Sequence, residues 1–122
     1  MVRVIFSGEY EKAAKYWGAS ADGGYPAAEN AFGALLTMGR GIKRDEKRGL
    51  EYYKKSADKG YAVGQYNLGR KYMEGRIIDK NVKKGKSLIR LAADGGYKRA
   101  KEKLKELDGL SKTGRADQKT PA

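Results

Sequence analysis

The chain contains no histidine and no cysteine. The commonest general base, the commonest metal ligand and the thiolate nucleophile are therefore all absent. Its five serines, at positions 7, 20, 56, 87 and 111, have no imidazole to activate them. The carboxylates are scattered as helix caps and surface pairs, and no two form an acid–base motif. The stretch Gly39-Arg40-Gly41-Ile42-Lys43 has the glycines of a phosphate loop, but no strand precedes it and the same turn recurs at Gly75. It reads as structural punctuation. No catalytic residue, metal or cofactor is assigned, and the chain is not expected to be an enzyme.

The cations and aromatics remain. Of 122 residues, 27 are Lys or Arg and 15 are Asp or Glu, a formal charge of +12. Lys43, Arg44, Lys47 and Arg48, then Arg76, Lys80, Lys83, Lys84 and Lys86, fall in turns and at the starts of the helices that follow. Cations near a helix N-terminus oppose its dipole, so local stability does not account for them. They are expected to form a basic ridge facing an acidic protein. Nucleic acid is the weaker alternative for that ridge, because no aromatic residues are interleaved for base stacking.

These residues are carried on a repeat. A Gly-Tyr pair recurs at 24, 60 and 96, a period of 36 residues. Ten of the 36 positions are identical between the two complete copies, among them Gly33/Gly69, Gly39/Gly75, Arg40/Arg76, Gly49/Gly85 and Ala57/Ala93. Self-similarity at a fixed period of this length marks stacked helical repeats. The modest hydrophobic content, 39%, suits thin layers between small-faced helices.

Residues 1–108 are expected to form the repeat domain: a half repeat over 6–23, repeats over 24–59 and 60–95, and a capping helix over 96–108. Residues 109–122 are polar and aperiodic, and are expected to be a disordered tail. Ser7 is placed as N-cap of the first helix, Asp45 and Asn81 as N-caps of the second helices, and Gly39 and Gly75 as helix stops. Phe6, Ile42 and Ile78 stand where a hydrophobic staple would, and Gly109 is expected to end the last helix. Gly33 and Gly69, unfavourable mid-helix by about 1 kcal/mol, point to close approach by a neighbouring helix. Lys105 stands where the other copies have that glycine, as befits a cap. Trp17 and the Tyr52-Tyr53 pair are expected in the core.

The pattern resembles the Sel-one-like repeat family, a branch of the tetratricopeptide-type helical repeats. Its first-helix motif is matched by Ala28, Phe32, Gly33, Leu36 and Gly39, and again by Gly64, Leu68, Gly69, Tyr72 and Gly75. Its second-helix motif is matched by Ala13, Tyr16, Trp17, Ser20, Ala21 and Gly24. Two further copies follow, at Gly49, Tyr52, Tyr53, Ser56, Ala57, Gly60 and at Gly85, Leu88, Ile89, Ala92, Ala93, Gly96. Gly49 and Gly85 depart from the usual Ala, which is expected to soften those helices. The resemblance covers about residues 6–108. It implies an all-α fold, a short right-handed solenoid of antiparallel helix pairs with about six helices.

It also implies a non-catalytic protein-binding adaptor whose partner lies in the concave groove lined by first helices. Bacterial relatives include regulatory proteins and the immunity partners of secreted toxins. The groove positions are Ala27, Asn30, Ala34 and Thr37, then Val63, Tyr66, Asn67, Arg70 and Met73, then Arg99, Glu102 and Glu106. Tyr66, Asn67, Arg70 and Met73 form the richest set for anchoring a protein. A rival implication, binding of a small ligand or a peptidoglycan fragment, belongs to cysteine-rich relatives, and this chain has no Cys. The uncovered half repeat at the start offers a face for a homodimer. The short apolar run near the N-terminus matches neither a signal-peptide core nor a membrane span, so a cytoplasmic location is expected.

Overall fold

A computed structural model describes the backbone of residues 2–119 and the side chains of residues 8–109. Six helices follow one another: α1 (Val2–Asp22), α2 (Pro26–Met38), α3 (Glu46–Asp58), α4 (Ala62–Glu74), α5 (Val82–Asp94) and α6 (Lys98–Lys119). No strand occurs among the described residues. Each helix packs on the next in sequence, most extensively α2 on α3 and α4 on α5. The architecture is an all-α solenoid of helix pairs.

The local chemistry of the helix ends sets these boundaries. Asp45 Oδ1 accepts a hydrogen bond from the Arg48 amide at 3.1 Å, and Asn81 Oδ1 accepts one from the Lys84 amide at 2.9 Å. Each satisfies an otherwise unpaired donor in the first turn of α3 or α5. Pro26 opens α2, where its missing N–H is not needed. Gly39 and Gly75 close α2 and α4 in the left-handed region, at φ 67° and 68°.

Within each pair, two glycines meet. A Cβ built on Gly33 would lie 3.0 Å from the Gly49 carbonyl oxygen, and one on Gly49 would lie 2.8 Å from the Gly33 carbonyl oxygen. One period later, Gly69 and Gly85 face each other the same way, at 2.7 and 2.6 Å. The expected close approach at Gly33 and Gly69 is therefore present, and it needs both partners. This revises the reading of Gly49 and Gly85 as softening substitutions. Thr37 Cγ2 and Met73 Cγ each lie 2.5 Å from where the Cβ would be, so the space an alanine would use is already filled.

Three apolar clusters run along the array. Ala21, Ala28, Phe32 and Leu36 form the first, with Trp17, Ile42 and Tyr52 packed against it. Leu50, Tyr53, Ala57, Leu68 and Tyr72 form the second, joined by Ile77, Ile78 and Leu88. Tyr66, Ile89, Ala92, Ala93 and Ala100 form the third, joined by Tyr97, Leu104 and Leu107. Five side-chain hydrogen-bonded pairs among the described residues tie successive units at an offset of 30 residues. They are Arg40–Tyr10, Tyr52–Asp22, Ser56 to the Pro26 carbonyl, Lys59–Glu29 and Arg76–Glu46.

The helices at either end run longer than the sequence implies. α1 begins at Val2, so Ser7 is inside the helix and does not cap it; the side chains of Phe6 and Ser7 lie outside the described residues. α6 passes Gly109 and continues to Lys119. A glycine stops a helix readily where the chain turns left-handed, as Gly24, Gly60 and Gly96 do at φ 85°, 83° and 92°; Gly109 is not among the positive-φ glycines. In helical φ it costs only about 1 kcal/mol. Lys105 is exposed.

Candidate partner-binding groove

The even-numbered helices share one face. Asn67 Nδ2 on α4 donates to Asn30 Oδ1 on α2 at 2.8 Å, linking first helices of adjacent repeats. Beside this bond lies a groove of about 320 Å³ lined by Ala34, Thr37 and Met38 of α2, Tyr53 of α3, Asn67, Arg70 and Lys71 of α4, and Arg99 of α6. Five of the sequence-derived positions, Ala34, Thr37, Asn67, Arg70 and Arg99, are thus brought to one place.

The floor is held by buried polar contacts. Thr37 Oγ1 donates to the Ala34 carbonyl at 3.0 Å and lies 3.4 Å from the Tyr53 hydroxyl. Burial raises the Tyr53 phenol pKa above its ordinary value, so it stays a neutral hydroxyl. The rim is cationic. The Arg70 guanidinium is exposed and sits 5.7 Å from the centre of the Tyr66 ring. Arg99 is exposed, and the adjoining Tyr97 hydroxyl raises its pKa further by hydrogen bonding. Neither arginine pairs with a carboxylate among the described residues.

Tyr66 departs from its expected place as a free anchor. It is 9% exposed and belongs to the cluster with Ile89 and Ala92. Its ring stacks edge-on against Tyr97, 5.3 Å away, because a long side chain at that position can fold back onto the next repeat. Tyr66 therefore supports Arg70 from beneath. Met73 is half-buried and, with Arg70, Glu74 and Lys103, lines a smaller hollow of about 230 Å³. Glu102 is exposed, Glu106 pairs with Lys103 at 3.4 Å, Ala27 is exposed and Val63 half-buried. Met38, Tyr53, Lys71 and Lys103 also line these hollows. First-helix periodicity alone missed them: Tyr53 comes from a second helix, and Lys71 and Lys103 each pair with a carboxylate one turn on.

The basic ridge is partly spent on internal contacts, contrary to the sequence reading that local stability does not explain it. Arg44 and Arg76 both bind Glu46, at 2.9 and 2.5 Å. Arg48 and Lys84 lie over the rings of Phe32 and Tyr72, at 6.0 and 4.7 Å. Lys86 pairs with Asp108 at 2.9 Å. Lys43, Lys47, Lys80 and Lys83 remain exposed, and none forms an ion pair among the described residues. No group of three or more acidic, His or Cys side chains among the described residues could hold a metal ion. No helix there is long and apolar enough to cross a membrane.

Paired helices stacked at a fixed period, with a groove across their first helices, define an α-solenoid of the interaction-scaffold type. The chain belongs to the Sel1 repeat family, whose sequence profile matches residues 8–25, 26–61 and 62–97. It is similar to a Sel1 repeat protein of known crystal structure from Oxalobacter formigenes. The identity is 33% and the TM-score 0.70, over 75% of this chain and 69% of that one. It is also similar to a protective antigen of uropathogenic Escherichia coli that displays the same fold, at 28% identity and a TM-score of 0.71. That match covers 77% of this chain but only 20% of the antigen. No curated protein matches the sequence significantly. Sel1 repeat proteins generally mediate protein–protein interaction and are typically non-catalytic scaffolds.

Proposed function

We propose that this chain is a protein-binding module whose α2–α4–α6 groove takes an acidic segment of its partner. One observation carries the reading: Arg70 and Arg99 stand on the rim of one groove, exposed, and neither has a carboxylate partner among the described residues. A guanidinium presents a planar fork of donors that matches a carboxylate. Asn67, half-buried on the wall of the same groove, offers amide groups that suit peptide backbone. The family's general role in protein–protein contact supports the same conclusion.

Panning a random-peptide display library on the protein tests this. The expected consensus is rich in Asp and Glu and is lost on an Arg70→Glu/Arg99→Glu variant whose circular dichroism is unchanged. A consensus without acidic residues, or one that survives the double charge reversal, overturns the proposal.

A further inference from the structure

The floor of the α2–α4–α6 groove carries a pair of hydroxyls that the second repeat does without. A Cβ on Gly33 would meet the Tyr53 ring at 3.1 Å, and one on Gly69 would meet Ile89 at 2.9 Å. Likewise Thr37 Cγ2 lies against Gly49 and Met73 Cγ against Gly85. Thr37 and Tyr53 thus hold the places that Met73 and Ile89 hold one period later. The same glycine contacts are made there without a hydroxyl, so packing of the helix pair calls for neither.

Nor do the two hydroxyls satisfy each other. Thr37 Oγ1 gives its proton to the Ala34 carbonyl at 3.0 Å, which leaves Tyr53 as the donor in the contact between them. That contact is 3.4 Å long, beyond the roughly 2.5–3.0 Å of a sound O–H···O bond. Tyr53 is 5% exposed and lines the groove. Burial keeps its phenol protonated, and the Arg70 charge reaches it. A buried proton held this loosely is open to a better acceptor.

Among the described residues the groove is lined by three cations, Arg70, Lys71 and Arg99, and by no carboxylate. Glu74 also acts on Tyr53, but it pairs with Lys71 at 3.4 Å and lines the neighbouring hollow. Asn67 Nδ2 spends one of its two N–H donors on Asn30. A charge leaving water needs hydrogen bonds as well as a counter-charge, and this floor and rim offer both to an anion. We infer that the floor of the groove is a subsite for one carboxylate side chain of the partner, with the Tyr53 hydroxyl as its hydrogen-bond donor. This subsite rests on the groove reading above, and adds to it a neutral residue from a second helix.

The test is an amide NMR titration with tetraglutamate and tetraglutamine, each N-acetylated and C-amidated so that side chains carry the only carboxylates. On the native protein, tetraglutamate is expected to give saturable shifts at Thr37, Asn67 and Arg70, and tetraglutamine is not. Tyr53→Phe keeps the ring and the net charge of +12, so attraction to the general positive field is untouched. It is expected to weaken tetraglutamate binding about tenfold, as loss of one hydrogen bond to a charged group implies. Thr37→Val keeps the shape and removes the competing acceptor, and is expected to tighten tetraglutamate binding about twofold. Equal affinity in Tyr53→Phe, or unchanged or weaker binding in Thr37→Val, overturns the subsite and leaves the groove reading standing. Tetraglutamate that shifts no groove amide, or tetraglutamine that binds as well, overturns both.

Discussion

Arg76, in the turn after α4, donates to both carboxylate oxygens of Glu46 in the first turn of α3, at 2.8 and 2.5 Å. Arg44 donates to the same carboxylate at 2.9 Å. One repeat earlier, Arg40 reaches Tyr10 in the same way. The arginine is constant, and its acceptor alternates between phenol and carboxylate.

The Glu46 clamp predicts an acid-dependent loss of stability. Hydrogen bonds from Arg76 and then Arg44 lower the Glu46 pKa from 4.5 to about 2. Its contribution is complete above pH 4.5 and fades as the pH falls towards 2. Urea unfolding of the native protein and of Glu46→Gln is expected to differ most above pH 5 and to converge near pH 2. The carboxylate side chain is 20% exposed and both arginines are more than half exposed, so added salt is expected to narrow the difference.

The paired glycines predict that a nominally helix-favouring change will fail. Gly49→Ala gains about 1 kcal/mol of helix propensity. It also drives a methyl group into Thr37 Cγ2 and the Gly33 carbonyl, and overpacking of this kind costs about 1–3 kcal/mol. Thermal denaturation is expected to show a lower midpoint for Gly49→Ala, partly restored by Thr37→Ser, which removes the methyl and keeps the hydroxyl. Gly8→Ala, with nothing within 4 Å of the new Cβ, is expected to raise the midpoint.

Glu29 predicts an asymmetric double-mutant cycle. Its side chain is 2% exposed, one oxygen accepts from Lys59 Nζ at 2.6 Å, and the other has no hydrogen-bond partner among the described residues. Removing the lysine alone strands a buried carboxylate. Lys59 is itself 41% exposed, so Lys59→Met is expected to lose about 2 kcal/mol in urea unfolding, less than a fully buried pair would. Adding Glu29→Gln to it is expected to recover part of that loss.

Tyr66 and Arg70 should separate folding from recognition. Tyr66→Ala empties a core position and is expected to cost about 3 kcal/mol. Arg70→Gln removes an exposed cation and is expected to change stability by less than about 1 kcal/mol while weakening capture of acidic peptides. Urea unfolding beside peptide binding on the two variants checks this division.

The features legible in the sequence are those the backbone repeats. The 36-residue period, the caps at Asp45 and Asn81, the stops at Gly39 and Gly75 and the mid-helix glycines all follow from local chemistry recurring in register. What stayed hidden depends on where long side chains end. Tyr66 falls in the groove register yet folds onto Tyr97, 31 residues away. Gly49 looked like a weak helix former because its reason, Thr37 on the facing helix, is visible only in three dimensions. Arg44 and Arg76 opposed the helix dipole in one dimension and met Glu46 in the fold.

The 30-residue reach that five inter-unit hydrogen-bonded pairs share acts as a ruler. A residue inserted within the span of such a pair puts donor and acceptor out of step, and because the spans overlap from Tyr10 to Arg76 one insertion can disturb several ties at once. A whole 36-residue unit inserted at a repeat boundary copies the pairing rule at each new junction. Length variation in an array of this kind should therefore come in complete units, with fractional insertions confined to segments that no such tie spans.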